Sequence, residues 1–329
     1  MGNFWKDKRV LVAGGSGFIG SHLVEKLLPK KAKITVVSKT NNLQNIAHIK
    51  NKLTIIKADL TDKSAAIKAA KNQEIIINLA AKVAGIQYNI NHPVEMFSDN
   101  VEIAKNLLEA GVKNKVERFL AVSSACVYPR QSTVPTPESD GFLYDPEPTN
   151  LGYGWSKRVA ELLARFYHLQ YGLKIAIARP FNAYGPRDNF NPKFSHVIPG
   201  LIKRVFDGEN PLVVWGSGKQ TRSFIFVQDL AQGLLDALEK YCACDPINIG
   251  SDEEITIADL ARKIIKISGK KTKIIFDKTR PDGQPRRVGD LKKAKQTIGF
   301  QAKTKLDQGL RETIEWYINV LNIKNQIAK

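Results

Sequence analysis

The sequence predicts an α/β fold in which a doubly wound parallel sheet is followed by a smaller α/β unit. Short runs rich in Val and Ile alternate with amphipathic stretches through the first half of the chain. A glycine-rich turn follows the first run. Beyond Pro180 the composition changes, and loops rich in Asn, Pro, Gly and aromatic residues are expected. Strands that alternate with helices favour a parallel sheet with helices on both faces.

Six runs are predicted strands because they are apolar on both faces, as strands inside a parallel sheet are. They are Arg9–Ala13, Ile34–Val37, Leu53–Ile56, Glu74–Leu79, Arg118–Ser123 and Lys174–Ala178. The segments between them have apolar residues at helical spacing, which predicts helices at Phe18–Leu28, Lys63–Lys71, Val94–Ala110 and Tyr153–Tyr171.

The second half predicts helices at Val197–Phe206, Leu230–Leu238, Ile257–Ile267 and Leu306–Val320, and a strand at Ile247–Ile249. Residues 1–179, joined by about 222–246, are expected to form the parallel-sheet domain. Residues 180–221 and 247–329 are expected to form the second domain.

Composition excludes several classes of protein. The chain has 329 residues, 43% of them hydrophobic, enough for a sizeable core without disulfides. No apolar run reaches the ~18 residues that a membrane-spanning helix needs, and the N-terminus resembles no secretory signal. Cys126, Cys242 and Cys244 have no zinc-site spacing, so we expect free thiols, no metal and a reducing cytoplasmic location.

The charge is strongly positive, with 50 Lys and Arg against 32 Asp and Glu and a formal net charge of +18. Such an excess raises the hypothesis of a nucleic-acid-binding protein, including one built on a former enzyme scaffold. The lysines are spread along the whole chain without interleaved aromatics or a zinc-finger pattern. We therefore expect neither a nucleic acid nor a membrane as partner, and a solvated basic surface that steers small anions.

The glycine-rich turn is a candidate phosphate site. Gly14, Gly17 and Gly20 follow the first predicted strand and open the first predicted helix. Glycines at this spacing allow a tight turn, a close approach of backbone N–H groups to a pyrophosphate, and close helix–strand packing. The strand–turn–helix context favours dinucleotide binding over a purely structural turn.

The end of the second strand bears on which dinucleotide binds. That strand ends in Ser38 and Lys39 and has no carboxylate to hold an NAD ribose. This favours NADP(H), with NAD(H) as the alternative. Asp59, after the third strand, is placed either to contact an adenine amine or to cap the helix that follows.

Tyr153 and Lys157 lie four residues apart on one face of a predicted helix. An ammonium beside a phenol stabilises the phenolate, so we expect Lys157 to lower the pKa of Tyr153 and make it an acid/base group. Ser124 follows the fifth strand, where ligands bind in this fold, and can hydrogen-bond a reacting carbonyl.

Together these segments resemble the extended short-chain dehydrogenase/reductases, the epimerase/dehydratase family of nucleotide-sugar enzymes. The matching motifs are GGSGFIG, NLAA, SSACVYP, YGWSK, RPFNAYGPR and TRSFIFVQDLA, in the family's order. The resemblance implies an NAD(P)-binding Rossmann domain, a nucleotide-sugar-binding second domain, a nucleotide-diphosphate sugar as substrate, and a homodimer.

The resemblance also implies roles for particular residues. Ser124, Tyr153 and Lys157 match the catalytic trio, with Lys157 also holding the nicotinamide ribose. The implied cofactor contacts are Gly14, Gly17, Phe18, Ile19, Gly20, Ser38, Lys39, Asp59, Leu60, Leu79, Ala80 and Ala81, besides Tyr153 and Lys157.

The segments Ala80–Ile86 and Asp188–Pro199 resemble the fucose-synthase branch of the family. That branch epimerises a GDP-4-keto-6-deoxy-hexose at C3 and C5 and then reduces C4 with NADPH. That branch implies Cys126 and His196 as the acid/base pair. The alternatives are that Cys126 fills a buried space and that His196 caps a helix. Other segments, Trp215–Phe224 and Ile247–Glu253, resemble the GDP-mannose 3,5-epimerase branch. The alternative function is therefore an NAD-dependent epimerase without net redox, of that type or of the UDP-hexose 4-epimerase type.

Substrate contacts are expected in the second half of the chain, because arginines clamp diphosphates well. The resemblance implies a substrate role for Asn182, Arg204, Arg222, Arg280 and Arg287. The alternative for each arginine is a surface salt bridge.

Overall fold

The structure is a computed structural model that describes residues 3–192, 194–279 and 284–327. Its strands are Arg9–Ala13 (β1), Lys33–Ser38 (β2), Thr54–Lys57 (β3), Ile75–Asn78 (β4), Arg118–Val122 (β5), Lys174–Pro180 (β6), Ala183–Tyr184 (β7), Leu212–Trp215 (β8), Thr221–Ser223 (β9), Ile225–Phe226 (β10), Ala243–Ile249 (β11), Glu254–Thr256 (β12), Ile274–Asp277 (β13) and Arg286–Arg287 (β14). Its α-helices are Phe18–Leu27 (α1), Lys63–Ala69 (α2), Ile86–Asn91 (α3), Pro93–Lys113 (α4), Leu151–Tyr171 (α5), Val197–Phe206 (α6), Val227–Lys240 (α7), Ile257–Ser268 (α8), Lys292–Ile298 (α9) and Leu306–Ile327 (α10).

Seven parallel strands form the central sheet, in the order β11-β6-β5-β4-β1-β2-β3. This confirms the predicted doubly wound parallel sheet. Strand β1 lies between β2 and β4, with Ala13 opposite Val37 on one side and Asn78 on the other. The strand order reverses at β1, and a crevice forms beyond the carboxyl ends of the strands at such a point. The glycine-rich turn that follows β1 lies at this crevice.

The sheet has an apolar core on each face. In β1, Val10 and Val12 join the core formed with α1 and α7, whereas Leu11 and Ala13 join the core formed with α2, α4 and α5. Successive side chains of a strand point to opposite faces, so a strand buried on both faces reads as a continuous apolar run. This is why the first six strands are recognisable in the sequence.

The second half contains a further apolar core, formed chiefly by α6, α8 and α10. Two short sheets border it: β8 pairs with β13, and β9 lies between β12 and β14. Leu201 of α6, Leu260 of α8 and Leu310 of α10 are 4% exposed or less within it. A smaller α/β unit was expected here, and these elements form it.

The structure differs from the predicted domain boundary at residue 246. Strand β11 crosses that boundary and pairs with β6 over its length, so residues 247–249 lie in the central sheet. Helix α9 also packs on the sheet side, where Ala294 and Ile298 join the core of α1 and α7. The division between the domains therefore falls later in the sequence than the apolar pattern indicates.

Helices α4 and α5 pack against each other and carry exposed apolar side chains. Val94 is 73% exposed and Leu169 is 78% exposed, and Phe97 and Phe166 are exposed as well. Such side chains mark a surface available for protein contacts. Within the described ranges, none of the helices is long and apolar enough to cross a membrane.

Candidate active site

The glycine-rich turn joins β1 to α1 at the crevice. Gly14 has a positive φ of 76°, and its N–H donates to the Val37 carbonyl at 2.9 Å. A Cβ at Gly14 would lie 2.9 Å from the Ala80 nitrogen, and one at Gly20 would lie 2.2 Å from the Gly14 oxygen. The turn therefore requires glycine at both positions. In the described structure no side chain caps the N-terminus of α1, so its first-turn N–H groups can receive an anion.

The remaining predicted cofactor contacts surround this turn. Phe18 and Ile19 form the first turn of α1, and Leu79, Ala80 and Ala81 follow β4 directly. Leu60 differs from the others because its side chain is 5% exposed and packs in the core beneath α2 and α4.

The strand-end residues Lys39 and Asp59 pair with each other. Lys39 Nζ lies 2.8 Å from Asp59 Oδ2, and this contact, opposed by partial burial, lowers the pKa of Asp59. Asp59 also accepts from the backbone N–H of Thr61 at 3.1 Å. The alternative in which Asp59 caps α2 is wrong, because Asp62 caps that helix by accepting from Ser64 and Ala65.

Ser38 ends β2 as a buried residue with a polar partner in the glycine-rich turn. Its hydroxyl lies 2.9 Å from the Ser16 hydroxyl and donates to the Thr40 carbonyl at 3.0 Å. No carboxylate ends this strand, as the sequence shows. Lys39 follows Ser38 directly, and its side chain is two-thirds exposed.

Tyr153, Lys157 and Glu161 lie on one face of α5 at four-residue spacing. Lys157 Nζ donates to the Val122 carbonyl at 2.9 Å and lies 5.6 Å from the centre of the Tyr153 ring. Burial lowers the pKa of Lys157 to about 8, while the charges of Cys126 and Glu161 oppose the fall. The ammonium form therefore still predominates at neutral pH.

Tyr153 hydrogen-bonds Ser124, which begins the short turn after β5. Burial raises the pKa of Tyr153 well above its ordinary value; the charge of Cys126 adds to the rise, and Ser124 and Arg287 oppose it. The expectation that Lys157 lowers this pKa is wrong for the structure described, because burial dominates and Lys157 faces the ring. The phenol keeps its proton at neutral pH, which suits a proton donor.

Cys126 lies in the same pocket as Tyr153. The Cys126 N–H donates to Ser124 Oγ at 3.1 Å, and Arg287 Nη2 donates to Cys126 Sγ at 3.3 Å. Arg287 reaches the pocket from β14, where it is opposite Arg222 of β9. The thiol is partly exposed and has a charged partner, so a role as a buried space-filler does not fit.

His196 precedes α6 and faces Asp188. Their Nδ1 and Oδ1 atoms are 3.8 Å apart, and the His196 side chain is 48% exposed. Burial lowers the pKa of His196, but its interaction with the Asp188 carboxylate more than reverses this, so the pKa is raised. His196 occupies the N-cap position of α6 without a side-chain cap bond, so the helix-cap alternative is wrong for its imidazole.

The predicted substrate residues have different surroundings. Asn182 Nδ2 donates to the Ser223 carbonyl at 2.8 Å, and Arg222 Nη1 donates to the Thr221 carbonyl at 2.7 Å. Arg204, on α6, donates hydrogen bonds to the Glu209 carboxylate and to the Val213 carbonyl of β8. The geometry of Arg204 matches the salt-bridge alternative, and Arg280 lies outside the described residues.

A family model, that of the NAD dependent epimerase/dehydratase family, matches residues 10–250 of the chain. The match covers well over half of the sequence, including the glycine-rich turn and the Tyr153 pocket. The chain belongs to this family. Membership confirms the predicted NAD(P)-dependent nucleotide-sugar enzyme class and favours catalysis over the nucleic-acid-binding hypothesis.

Individual members of the epimerase/dehydratase family match nearly the whole chain. The probable GDP-L-fucose synthase 1 of Oryza sativa subsp. japonica is 34% identical, over 98% of this chain and 96% of its own length. A UDP-glucose 4-epimerase structure from Thermotoga maritima, with UDP-glucose, has a TM-score of 0.86 at 26% identity and covers 95% of this chain and 99% of its own. A GDP-L-fucose synthetase from Naegleria fowleri bound to NADP has a TM-score of 0.80 at 25% identity and covers 96% of each chain.

Two buried acidic side chains lie beside predicted site residues and were not predicted from the sequence. Glu161 is 1% exposed and forms two bonds to Arg179, at 2.8 and 2.7 Å. The four-residue spacing from Lys157 could have revealed Glu161. Asp188 is 7% exposed in a loop without periodicity, so no pattern in the sequence points to it.

Proposed function

We propose that the protein is a nucleotide-sugar 3,5-epimerase and 4-reductase that acts on a GDP-4-keto-6-deoxy-hexose with NADPH. The observation that carries the proposal is the Cys126 thiol in the pocket of Tyr153, with Arg287 at 3.3 Å. Reduction of a ketone requires one proton donor, whereas epimerisation of its neighbouring carbons requires a further acid/base group. The identity of 34% to a probable GDP-L-fucose synthase supports the same reaction.

The glycine-rich turn supports dinucleotide binding by its shape. Gly14 leaves room for only a hydrogen atom against Ala80, and the open first turn of α1 offers N–H donors to a pyrophosphate. When bound, the reduced nicotinamide supplies the hydride for C4. We favour NADP(H) because Lys39 offers a cation for a 2′-phosphate, and the related structure from Naegleria fowleri is bound to NADP.

In the reduction, Tyr153 gives its proton to the oxygen at C4. Its raised pKa keeps the phenol protonated until negative charge develops on that oxygen. Ser124, which hydrogen-bonds Tyr153, orients both the phenol and the carbonyl. Ser124 and Arg287, which favour the phenolate, stabilise it once the proton has left, and Lys157 holds the nicotinamide ribose.

In the epimerisation, Cys126 and His196 exchange the protons at C3 and C5. Each of these carbons is adjacent to the C4 carbonyl, which makes its proton acidic. Removal on one face and return on the other inverts the carbon, so two groups are required. The carboxylate of Asp188 favours the imidazolium of His196, which suits His196 to return a proton while the Cys126 sulfur removes one.

We propose that Arg222 and Arg287 hold the nucleoside diphosphate. They lie opposite each other on adjacent parallel strands, β14 and β9, so their side chains leave the same face of the sheet. Paired guanidinium groups bind phosphate oxygens through several charge-assisted hydrogen bonds. We propose Asn182 and Arg280 as further substrate contacts.

A second candidate is an NAD-dependent epimerase without net redox. The UDP-glucose 4-epimerase of Thermotoga maritima supports it through a TM-score of 0.86, and Tyr153 and Lys157 would serve that reaction equally well. A 4-epimerase of this kind has no need of a thiol in the Tyr153 pocket, and the cation that Lys39 offers to NADP does not favour an NAD-dependent 3,5-epimerase, so we rank this candidate second.

We further propose a homodimer formed through α4 and α5. The exposed side chains of Val94, Phe97, Phe166 and Leu169 give these helices an apolar outer surface. Two copies of the pair would cover that surface in a four-helix packing. The three free cysteines are compatible with a reducing compartment, so we place the enzyme in the cytoplasm.

The proposed reaction is tested by following NADPH absorbance with GDP-4-keto-6-deoxy-mannose, and in parallel with the UDP and dTDP analogues. We expect one NADPH to be oxidised per GDP-sugar and little turnover of the analogues. The Asp140→Asn variant changes a buried carboxylate that bonds to Thr133; it is the control and should oxidise NADPH at a similar rate. Interconversion of epimers without any NADPH oxidation would favour the second candidate instead.

A further inference from the structure

The loop between β7 and α6 brings a buried carboxylate to His196. The Asp188 side chain is only 3% exposed, and its Oδ1 lies 3.8 Å from His196 Nδ1. Oδ1 also accepts from the backbone N–H of Asn189 at 2.7 Å. Oδ2 is buried, and no hydrogen-bond donor among the described residues reaches it. Burying a carboxylate is costly unless a cation lies close, and His196 is the group that can become that cation.

The turn that carries Asp188 is fixed to helix α1. His22 lies 2.9 Å from the Pro186 carbonyl, through Nε2, and Arg187 Nη2 lies 2.6 Å from Glu25 Oε1. Arg187 has a positive φ of 69°, a conformation that non-glycine residues adopt only when their surroundings hold them. The position of Asp188 is therefore set by the same helix whose first turn forms the proposed pyrophosphate site.

Three titratable groups lie close to Asp188, and each of them has a partner other than His196. His22 and Glu25 lie on α1, and Arg187 lies in the same turn as Asp188. His22 bonds to the Pro186 carbonyl and Arg187 bonds to Glu25, rather than to His196. Burial lowers the pKa of His22 to about 4, so His22 is neutral near pH 7 and donates Nε2–H to the carbonyl. The charge that reaches His196 is thus that of Asp188.

We propose that Asp188 is a positioning residue for His196. The imidazole turns Nδ1 toward Asp188 and therefore keeps Nε2 for proton transfer to the sugar. This inference rests on the proposed function. A carboxylate beside one ring nitrogen fixes the tautomer and stabilises the imidazolium. At 3.8 Å the contact is an ion pair, and such contacts tighten to hydrogen bonds in substrate complexes.

The pairing is tested without substrate by NMR titration of the histidine C–H signals. The chain has five histidines, and the His196 signal is the one that His196→Gln removes. In the native protein its pKa should lie above the ordinary value of 6.5. Asp188→Asn should lower this pKa, because the carboxylate charge that faces the imidazole is then removed.

Asp140→Asn is the matched control, since Asp140 is also a buried aspartate and accepts bonds from Thr133 rather than His196. It should leave the His196 titration unchanged. If Asp188→Asn leaves the titration unchanged as well, the proposal is overturned. If Asp188→Asn fails to fold, Asp188→Glu and the native titration decide: a native pKa at or below 6.5 overturns the pairing.

A second measurement asks whether the pairing serves the reaction. Deuterium incorporation from D₂O into GDP-4-keto-6-deoxy-mannose should fall about tenfold or more in Asp188→Asn. In a His196→Gln background, adding Asp188→Asn should cause no further loss, because the effect passes through His196. Equal losses in both backgrounds would overturn the positioning role. Absence of incorporation in the native enzyme would instead defeat the proposed function, and the titration would still decide the pairing.

Discussion

Glu161 contributes both to the stability of the fold, through Arg179, and to the electrostatics of the candidate site, through Lys157. Its carboxylate binds Arg179 through two bonds of 2.8 and 2.7 Å, and Arg179 is fully buried. The Ser123 hydroxyl donates to the same carboxylate at 2.5 Å. Removing one partner of a buried ion pair costs about 3–5 kcal/mol, because the other charge stays buried without compensation. Glu161→Gln keeps two hydrogen-bonding atoms, so we expect a loss of about 3 kcal/mol in the free energy of unfolding.

The same substitution affects Lys157. The charge of Glu161 opposes the burial that lowers the pKa of Lys157 to about 8, so its removal lowers that pKa further. The ammonium form is then lost at a lower pH. If Lys157 acts as an ammonium, the decline of NADPH oxidation at high pH should begin at lower pH in Glu161→Gln than in the native enzyme.

Urea unfolding followed by circular dichroism measures the stability, and NADPH oxidation at a series of pH values measures the second effect. The control is Asp207→Asn, which removes the exposed partner of Lys203 at 2.6 Å on α6. A surface pair of this kind contributes about 0.3–0.5 kcal/mol. The reasoning would be refuted if the free energy of unfolding of Glu161→Gln lay within about 1 kcal/mol of the native value and the pH profile of NADPH oxidation were unchanged.

Two further predictions concern the cofactor turn and its helix. Gly20→Ala should abolish binding of NADPH, measured by fluorescence, because its Cβ would lie 2.2 Å from the Gly14 oxygen; retained affinity would show that the turn can open. The free energy of unfolding of the native protein should fall as the pH drops from 6.5 to 4. His22→Gln should make this fall less steep, by roughly 1 kcal/mol per pH unit. The native His22 takes up a proton only near pH 4, whereas the unfolded chain takes it up near 6.5, so native stability is full above pH 6.5 and falls below it. An unchanged slope in urea midpoints would contradict this.

The strands of the central sheet could be predicted wherever the run is continuously apolar. Strand β1 has the predicted bounds, and β2 to β6 differ from them by one or two residues. Strand β11 was predicted only at Ile247–Ile249, because Asp245 and Pro246 interrupt the apolar run. Pairing with β6 extends the strand across that irregularity, where the register shifts, so tertiary contacts override the local pattern.

The residues of the site were partly predictable, and their electrostatics were not. The four-residue spacing of Tyr153 and Lys157 follows from helix geometry and holds in α5. The pKa of Tyr153 depends on burial, which the sequence does not show, and its direction was therefore mistaken. For the same reason the sequence could not show that Arg204 is held by Glu209 or that Asp188 faces His196.

The central claim is that Tyr153 and Cys126, which lie in one pocket, serve two different proton transfers. The most direct test incubates native, Cys126→Ser and Tyr153→Phe enzymes with GDP-4-keto-6-deoxy-mannose and NADPH in D₂O. Deuterium at C3 and C5 is measured by mass spectrometry and NADPH oxidation by absorbance. We expect Tyr153→Phe to incorporate deuterium while NADPH oxidation falls by about a hundredfold or more, and Cys126→Ser to lose incorporation. Loss of both activities in Tyr153→Phe, or native incorporation in Cys126→Ser, would contradict the claim.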